Sequence, residues 1–198
     1  MQVTAEKPKY LGLLNAISLG ESEAGVYLEA WANATSDEDL ACTLRLVAAR
    51  ETSHGDVFCR RIAELGYELR HKPDPKAAAR LAKYANPKIS DLEKIGPDRD
   101  EDEPFAEIKA AMDAGAYDPM TCNLLGWYIA EEADSGRRLR AVYDCVREKG
   151  HGGMAKTNGH ARAAMAGPGV EVEAIMACMT AGFAKLEKSL EKLARAVK

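Results

Sequence analysis

Four stretches of the chain place apolar residues three and four positions apart, the spacing of one helix face. The first covers residues 8–34 and reads Leu13, Ile17, Glu21, Ala24, Leu28, Trp31. The second covers 37–66 and reads Leu40, Leu44, Val47, Glu51, His54, Phe58, Ile62, Leu65. Thr35-Ser-Asp-Glu38 opens it in a capping-box pattern, and Gly66 ends it. The third starts at Asp118-Pro119 with a cap and an N-terminal proline. It reads Leu125, Tyr128, Glu132, Ser135, Leu139, Val142, Val146 and stops at Gly150. The fourth follows Gly167-Pro168-Gly169 with Val172, Ile175, Met179, Phe183, Leu186, Leu190, Leu193, Val197.

Residues 67–117 have a different texture. Five prolines fall there, Pro73, Pro75, Pro87, Pro97 and Pro104. Asp74-Pro75 and Asn86-Pro87 have the form of short-helix starts. The acidic run DRDEDE at 98–103 reads as a solvated turn, and a short amphipathic helix is expected over 104–115. No segment alternates as a strand does. The pattern predicts an all-α, single-domain chain over 1–198: two helix pairs joined by a long crossover over 67–117, a four-helix bundle.

Glu21, Glu51, His54 and Glu132 break otherwise apolar stripes. Each lies near the middle of its helix. Glu21 stands about thirteen residues before the end of the first helix and Glu51 about fourteen after the start of the next, so at ~1.5 Å per residue they share one height in an antiparallel pair. Glu132, about fourteen after Asp118, also falls mid-bundle. A buried carboxylate without a partner costs several kcal/mol, on the order of a lost ion pair. No Lys or Arg lies in these stripes at that level, which leaves protonation or a metal ion. Clustered carboxylates with imidazole suit iron or manganese, and the Glu51-x-x-His54 spacing sets two ligands on one turn. The competing reading rotates Glu51 to solvent and leaves His54 as a satisfied core histidine.

The totals narrow the function classes. Net charge is −4, which gives nucleic-acid binding no bulk electrostatic support. Five cysteines are scattered without a Cys-x-x-Cys, the pattern of reduced thiols rather than a disulfide framework or zinc ribbon. The start MQVTAEKPKY has no apolar signal-peptide core and no run reaches ~20 apolar residues, so a cytoplasmic location without membrane insertion is expected. The loop GHGGMAKTNGH at 150–160 lacks Walker spacing and follows no strand. Its histidines, like His71, read as exposed loop residues.

LGESEAGVYLEAWA at 19–32 and ARETSHGDVFCRRIAELG at 49–66 resemble the ferritin-like proteins, nearest the rubrerythrin branch. The resemblance covers residues 10–66. It implies that Glu21, Glu51 and His54 are iron ligands, with one or two ions bound. The second helix pair of that family repeats the pattern with one Glu and then Glu-x-x-His. Here the segment GWYIAEEADSGRRL at 126–139 allows two registers. As the family's third helix it supplies Glu132 as the single Glu, and helix lengths favour this. As the fourth, it compares EADSG with ETSHG, so Ser135 replaces a histidine and Glu103 or Glu107 supplies the third helix's Glu. Glu131 and Asp134 are a fallback pair.

The resemblance implies a non-haem iron or manganese oxidoreductase acting on peroxide or dioxygen. Tyr128 is the candidate catalytic residue, one turn from Glu132. Rubredoxin-like Cys-x-x-Cys pairs are absent from the sequence, so redox turnover would need an external electron donor besides a small-molecule oxidant or substrate. A non-catalytic bundle used for assembly is the alternative, and iron storage a third reading. The end of the fourth stripe, KLEKSLEKLARAVK, offers a homodimer seam or a solvated face.

Overall fold

Side chains and glycines mark the ends of the long helices in the computed structural model, which describes residues 7–71, 74–96 and 105–151. α1 spans Leu11–Ala34 and α2 spans Glu38–Glu64. The Asp37 side chain caps α2 by accepting from the Leu40 N–H at 3.1 Å. The expected Thr35–Glu38 box is therefore not the cap. Thr35 Oγ1 instead accepts from the Asp37 N–H at 3.1 Å and donates to Asp91 at 2.6 Å. Gly66 ends α2 at φ +83°, with Tyr67 N–H bonded to Ile62 O and Gly66 N–H to Ala63 O, a Schellman closure.

Three short helices follow: α3 (Ala77–Ala85), α4 (Asp91–Ile95) and α5 (Ala106–Asp113). Asn86-Pro87 does not start a helix. Asn86 closes α3, its side chain takes up the Lys88 N–H, and Ser90 caps α4 by accepting from Glu93. The short polar side chain favours the local turn over helix initiation. α6 spans Pro119–His151 and is capped by Asp118, which accepts from the Met120 and Thr121 N–H groups. Gly150 does not stop α6: the helix passes through it, since one glycine in a helix costs only ~1 kcal/mol. The fourth stripe, the acidic run and most of the 150–160 loop lie outside the described residues. The described residues are helical with no strand among them, an all-α fold.

α1 and α2 are antiparallel at close range. An ideal Cβ on Gly55 would sit 3.0 Å from Ser22 N and 3.1 Å from Ser18 O; one on Gly25 would sit 3.0 Å from Ala48 O. Ser18 Oγ donates across this notch to Gly55 O at 2.8 Å. α6 runs antiparallel to α2 and parallel to α1. Its rungs are Arg61–Asp118, His54–Glu131, Arg50–Asp134 and Asp37–Lys149 with α2, and Tyr10–Asp118, Glu21–Tyr128 and Trp31–Tyr143 with α1.

The crossover travels the bundle length twice. Asn15 pins Arg70 at one end through two hydrogen bonds. α3 then climbs beside α1, where Tyr84 stacks on Tyr27 and Trp31. α4 is held at the far end, where Trp31 Nε1 donates to Asp91 at 2.7 Å. The chain returns past Phe105, whose ring meets Tyr128, and α5, whose Met112 lies against Gly126. All the stripe residues of α1 and those of α2 from Leu40 to Ile62 are buried, so the periodicity located the core.

The glycine notch fixes how near the two hairpin helices stand. Gly55→Ala should lower stability by about 1–3 kcal/mol, the cost of overpacking, because backbone atoms of Ser18 and Ser22 must give way. Chemical denaturation checks this; an unchanged midpoint would contradict it.

Candidate metal centre

Three helices bring Glu21, Glu51, His54 and Glu132 together: α1 supplies the first, α2 the next two and α6 the last. One ligand atom from each lies within 4.8 Å of the others. All four residues are at most 1% exposed. The height match expected from the sequence therefore places these side chains at one point in the core, and the solvent-facing alternative for Glu51 is excluded.

Polar satisfaction at this point is incomplete. Glu21 Oε2, both Glu51 oxygens, His54 Nδ1 and Glu132 Oε1 are buried without a hydrogen-bond partner. Leaving such groups unmade costs ~1–3 kcal/mol each, more when charged. His54 Nδ1 lies 3.2 Å from Glu132 Oε1, off the line of a hydrogen bond. Its other nitrogen, Nε2, lies 2.9 Å from Glu131 Oε2. A carboxylate there accepts, so Nε2 carries a proton, and once the ring is neutral it is the Nδ1 lone pair that faces the cluster. A carboxylate behind a metal-binding imidazole sets the ring this way. Glu131 is thus an orienting group, not the fallback ligand the sequence suggested. Asp134 is not one either: it pairs with Arg50, Arg137 and Arg138.

Tyr128 is fully buried and donates from its hydroxyl to Glu21 Oε1 at 2.6 Å. Burial, then the charges of Glu21 and Glu132, push its pKa well above the ordinary value, so it keeps its proton. Phe58 and Phe105 pack their edges on Tyr128. Trp127 meets His54 edge-on with ring centroids 4.9 Å apart. Phe105 adopts a left-handed backbone, φ +69°, to make its contact. Sequence reasoning missed Trp127 and Phe105 and gave Glu131 a fallback ligand's role, because each acts across helices from a flank or a loop rather than from a stripe.

The electrostatics follow from three acids in one apolar space. Burial raises the Glu51 pKa well above its ordinary range, and neighbouring Glu21 and then Glu132 add to it. Burial likewise lifts Glu132 to about 7, with His54 opposing and Glu21 reinforcing. For His54, burial favours the neutral ring, but Glu132 and Glu131 together outweigh it and the pKa rises. The stripes hold no Lys or Arg at this level, but Arg50 reaches round from the flank of α2 to Asp134 and Ser135 on α6. Its charge draws Glu51 toward ionisation, the smallest of the influences on that group.

The donor set fits a metal ion. Three carboxylates and one imidazole with its lone pair turned inward are the hard and borderline ligands that divalent first-row ions take. A cation would also satisfy the orphaned oxygens. No protein-family model, curated protein or solved structure matches the chain. Among the described residues, no helix is long and apolar enough to cross a membrane. Cys42, Cys59, Cys122 and Cys145 are free thiols.

Metal-free protein should lose stability as pH rises. Glu132 has an ordinary pKa of 4.5 and a folded value of about 7, so between these the folded state holds more protons. Glu51 and His54 act with the same sign. Asp134, held down to about 2 mainly by Arg138, opposes this only below its ordinary value, where stability falls as pH drops. Chelator-treated protein should therefore melt higher near pH ~5 than near pH ~7.5. A melting temperature that climbs across that interval would contradict the assignment.

Proposed function

We propose that the chain is a ferritin-like protein of the rubrerythrin branch, a non-haem iron or manganese oxidoreductase acting on peroxide or dioxygen. The observation that carries the proposal is the meeting of Glu21, Glu51, His54 and Glu132 with unpartnered atoms facing one another in the core. The two quoted motifs, 19–32 and 49–66, supply the family. The polarity of α6 supports the second of the two registers. Its antiparallel run along α2 and the return of the crossover past Tyr128 agree with a reading of α5 as the third helix and α6 as the fourth. Glu107 on α5 is exposed, so it is no ligand, and Glu103 lies outside the described residues.

A bound redox-active ion supplies electron exchange with a small oxidant. Glu21, Glu51, His54 and Glu132 would hold it. Glu131 keeps the imidazole turned inward. Tyr128 holds a proton on its hydroxyl against Glu21, within reach of the carboxylate shell. Phe58, Phe105 and Trp127 exclude bulk water around these groups. Electrons for repeated turnover come from an external donor, in the absence of any Cys-x-x-Cys in the sequence.

One observation favours the non-catalytic reading. The Tyr128–Glu21 and His54–Glu131 hydrogen bonds satisfy part of the cluster from within the protein. Thermal melts separate the two. With free iron(II) or manganese(II) at ~100 times Kd, binding should add about 2.7 kcal/mol of stability. In Glu51→Ala the gain should vanish, together with the oxidation of a reduced dye by peroxide. Melts that are identical with metal and with chelator in the unsubstituted protein would favour the non-catalytic bundle.

A further inference from the structure

The number of ions is written into α6. Glu132 and Ser135 repeat the three-residue spacing that sets His54 one turn from Glu51, and both are buried. Position 135 is therefore where a second imidazole would stand, and it carries a hydroxyl. That hydroxyl accepts from Arg50 Nη1 at 3.1 Å, and the same nitrogen lies 2.8 Å from Asp134 Oδ2. α5 offers no substitute ligand among the described residues, because it buries Ile108 and exposes Glu107.

Geometry and charge agree. Ligands ~2.0–2.2 Å from one ion stand at most about 4.4 Å apart, and the four ligand atoms here need close only slightly from their 4.8 Å spread. Paired ions sit about 3.5–4 Å from each other and each requires its own terminal ligands. The three buried carboxylates carry three negative charges when ionised. One divalent ion offsets most of that charge, whereas a second would stand beside the Arg50 guanidinium, a like charge that Ser135 and Asp134 already hold at this position.

Resting on the metal reading above, we propose that this chain builds a one-ion centre in which Arg50, anchored by Ser135 and Asp134, takes the place of a second metal ion. Arg50 is here a fixed like charge that opposes a second cation, not a ligand. Such a centre would differ in kind from a paired-metal site, since a single ion would supply its electron exchange.

Titration of the chelator-treated full chain with manganese(II), followed by elemental analysis and electron paramagnetic resonance, tests this. The expected result is one ion per chain with the hyperfine pattern of an isolated ion. Two ions per chain with an exchange-coupled spectrum would overturn the one-ion inference and leave the metal reading standing. No tight uptake would overturn both. In Ser135→His combined with Arg50→Ser, uptake should rise from one ion to two. A variant that keeps its helical circular dichroism and still takes one ion would remove Arg50 and Ser135 from the explanation.

Discussion

Mutual repulsion of three carboxylates at one depth of an apolar bundle is the constraint on which the rest of the structure turns. Glu21, Glu51 and Glu132 approach from three helices, and none can move to water without unpacking its own stripe. The chain meets this repulsion in layers. Tyr128 donates to Glu21, His54 stands against Glu132, and Arg50 lends a charge from the flank. These devices still leave buried oxygens without partners. What they leave is a set of lone pairs converging on a shared point, the arrangement a cation resolves.

Packing serves that convergence. Gly25 and Gly55 let the backbones of α1 and α2 approach, and side chains at Glu21 and Glu51 meet as a consequence. The α6 register is set far from the centre, by the Tyr10–Asp118–Arg61 cluster at one end and Asp37–Lys149 at the other. Asp118 lies well below the ordinary carboxylate range. Its burial works against this, but hydrogen bonds from Thr121, Tyr10 and Arg61 prevail. End clamps of this kind hold the middle of a helix at fixed height, which is what a ligand carboxylate requires.

The stripes and their polar interruptions were legible because a helix repeats every 3.6 residues and burial follows that period. Height could be read too, since residues counted from the hairpin convert directly to distance. Cross-helix relations could not. Arg50 stands outside the stripe, and only the path of its long side chain to Ser135 brings its charge near Glu51. Glu131 reads as a fallback ligand beside Glu132 until α6 is docked on α2 and its carboxylate meets His54 Nε2 from behind. The double traverse of the crossover is a tertiary outcome, fixed by anchors such as Trp31–Asp91 that no local spacing encodes. Gly150 and Asn86 mislead for a related reason: a glycine permits a helix end without requiring one, and an asparagine before proline serves a turn as well as a cap.

Proton release on metal binding reports on the cluster itself, because ligands kept protonated by burial must give up their protons to an ion. Calorimetric titration of chelator-treated protein with manganese(II) near pH ~6, in buffers of differing ionisation enthalpy, counts them. The expected result is uptake with net release of at least one proton per ion. Uptake without release, or no uptake at all, would contradict it.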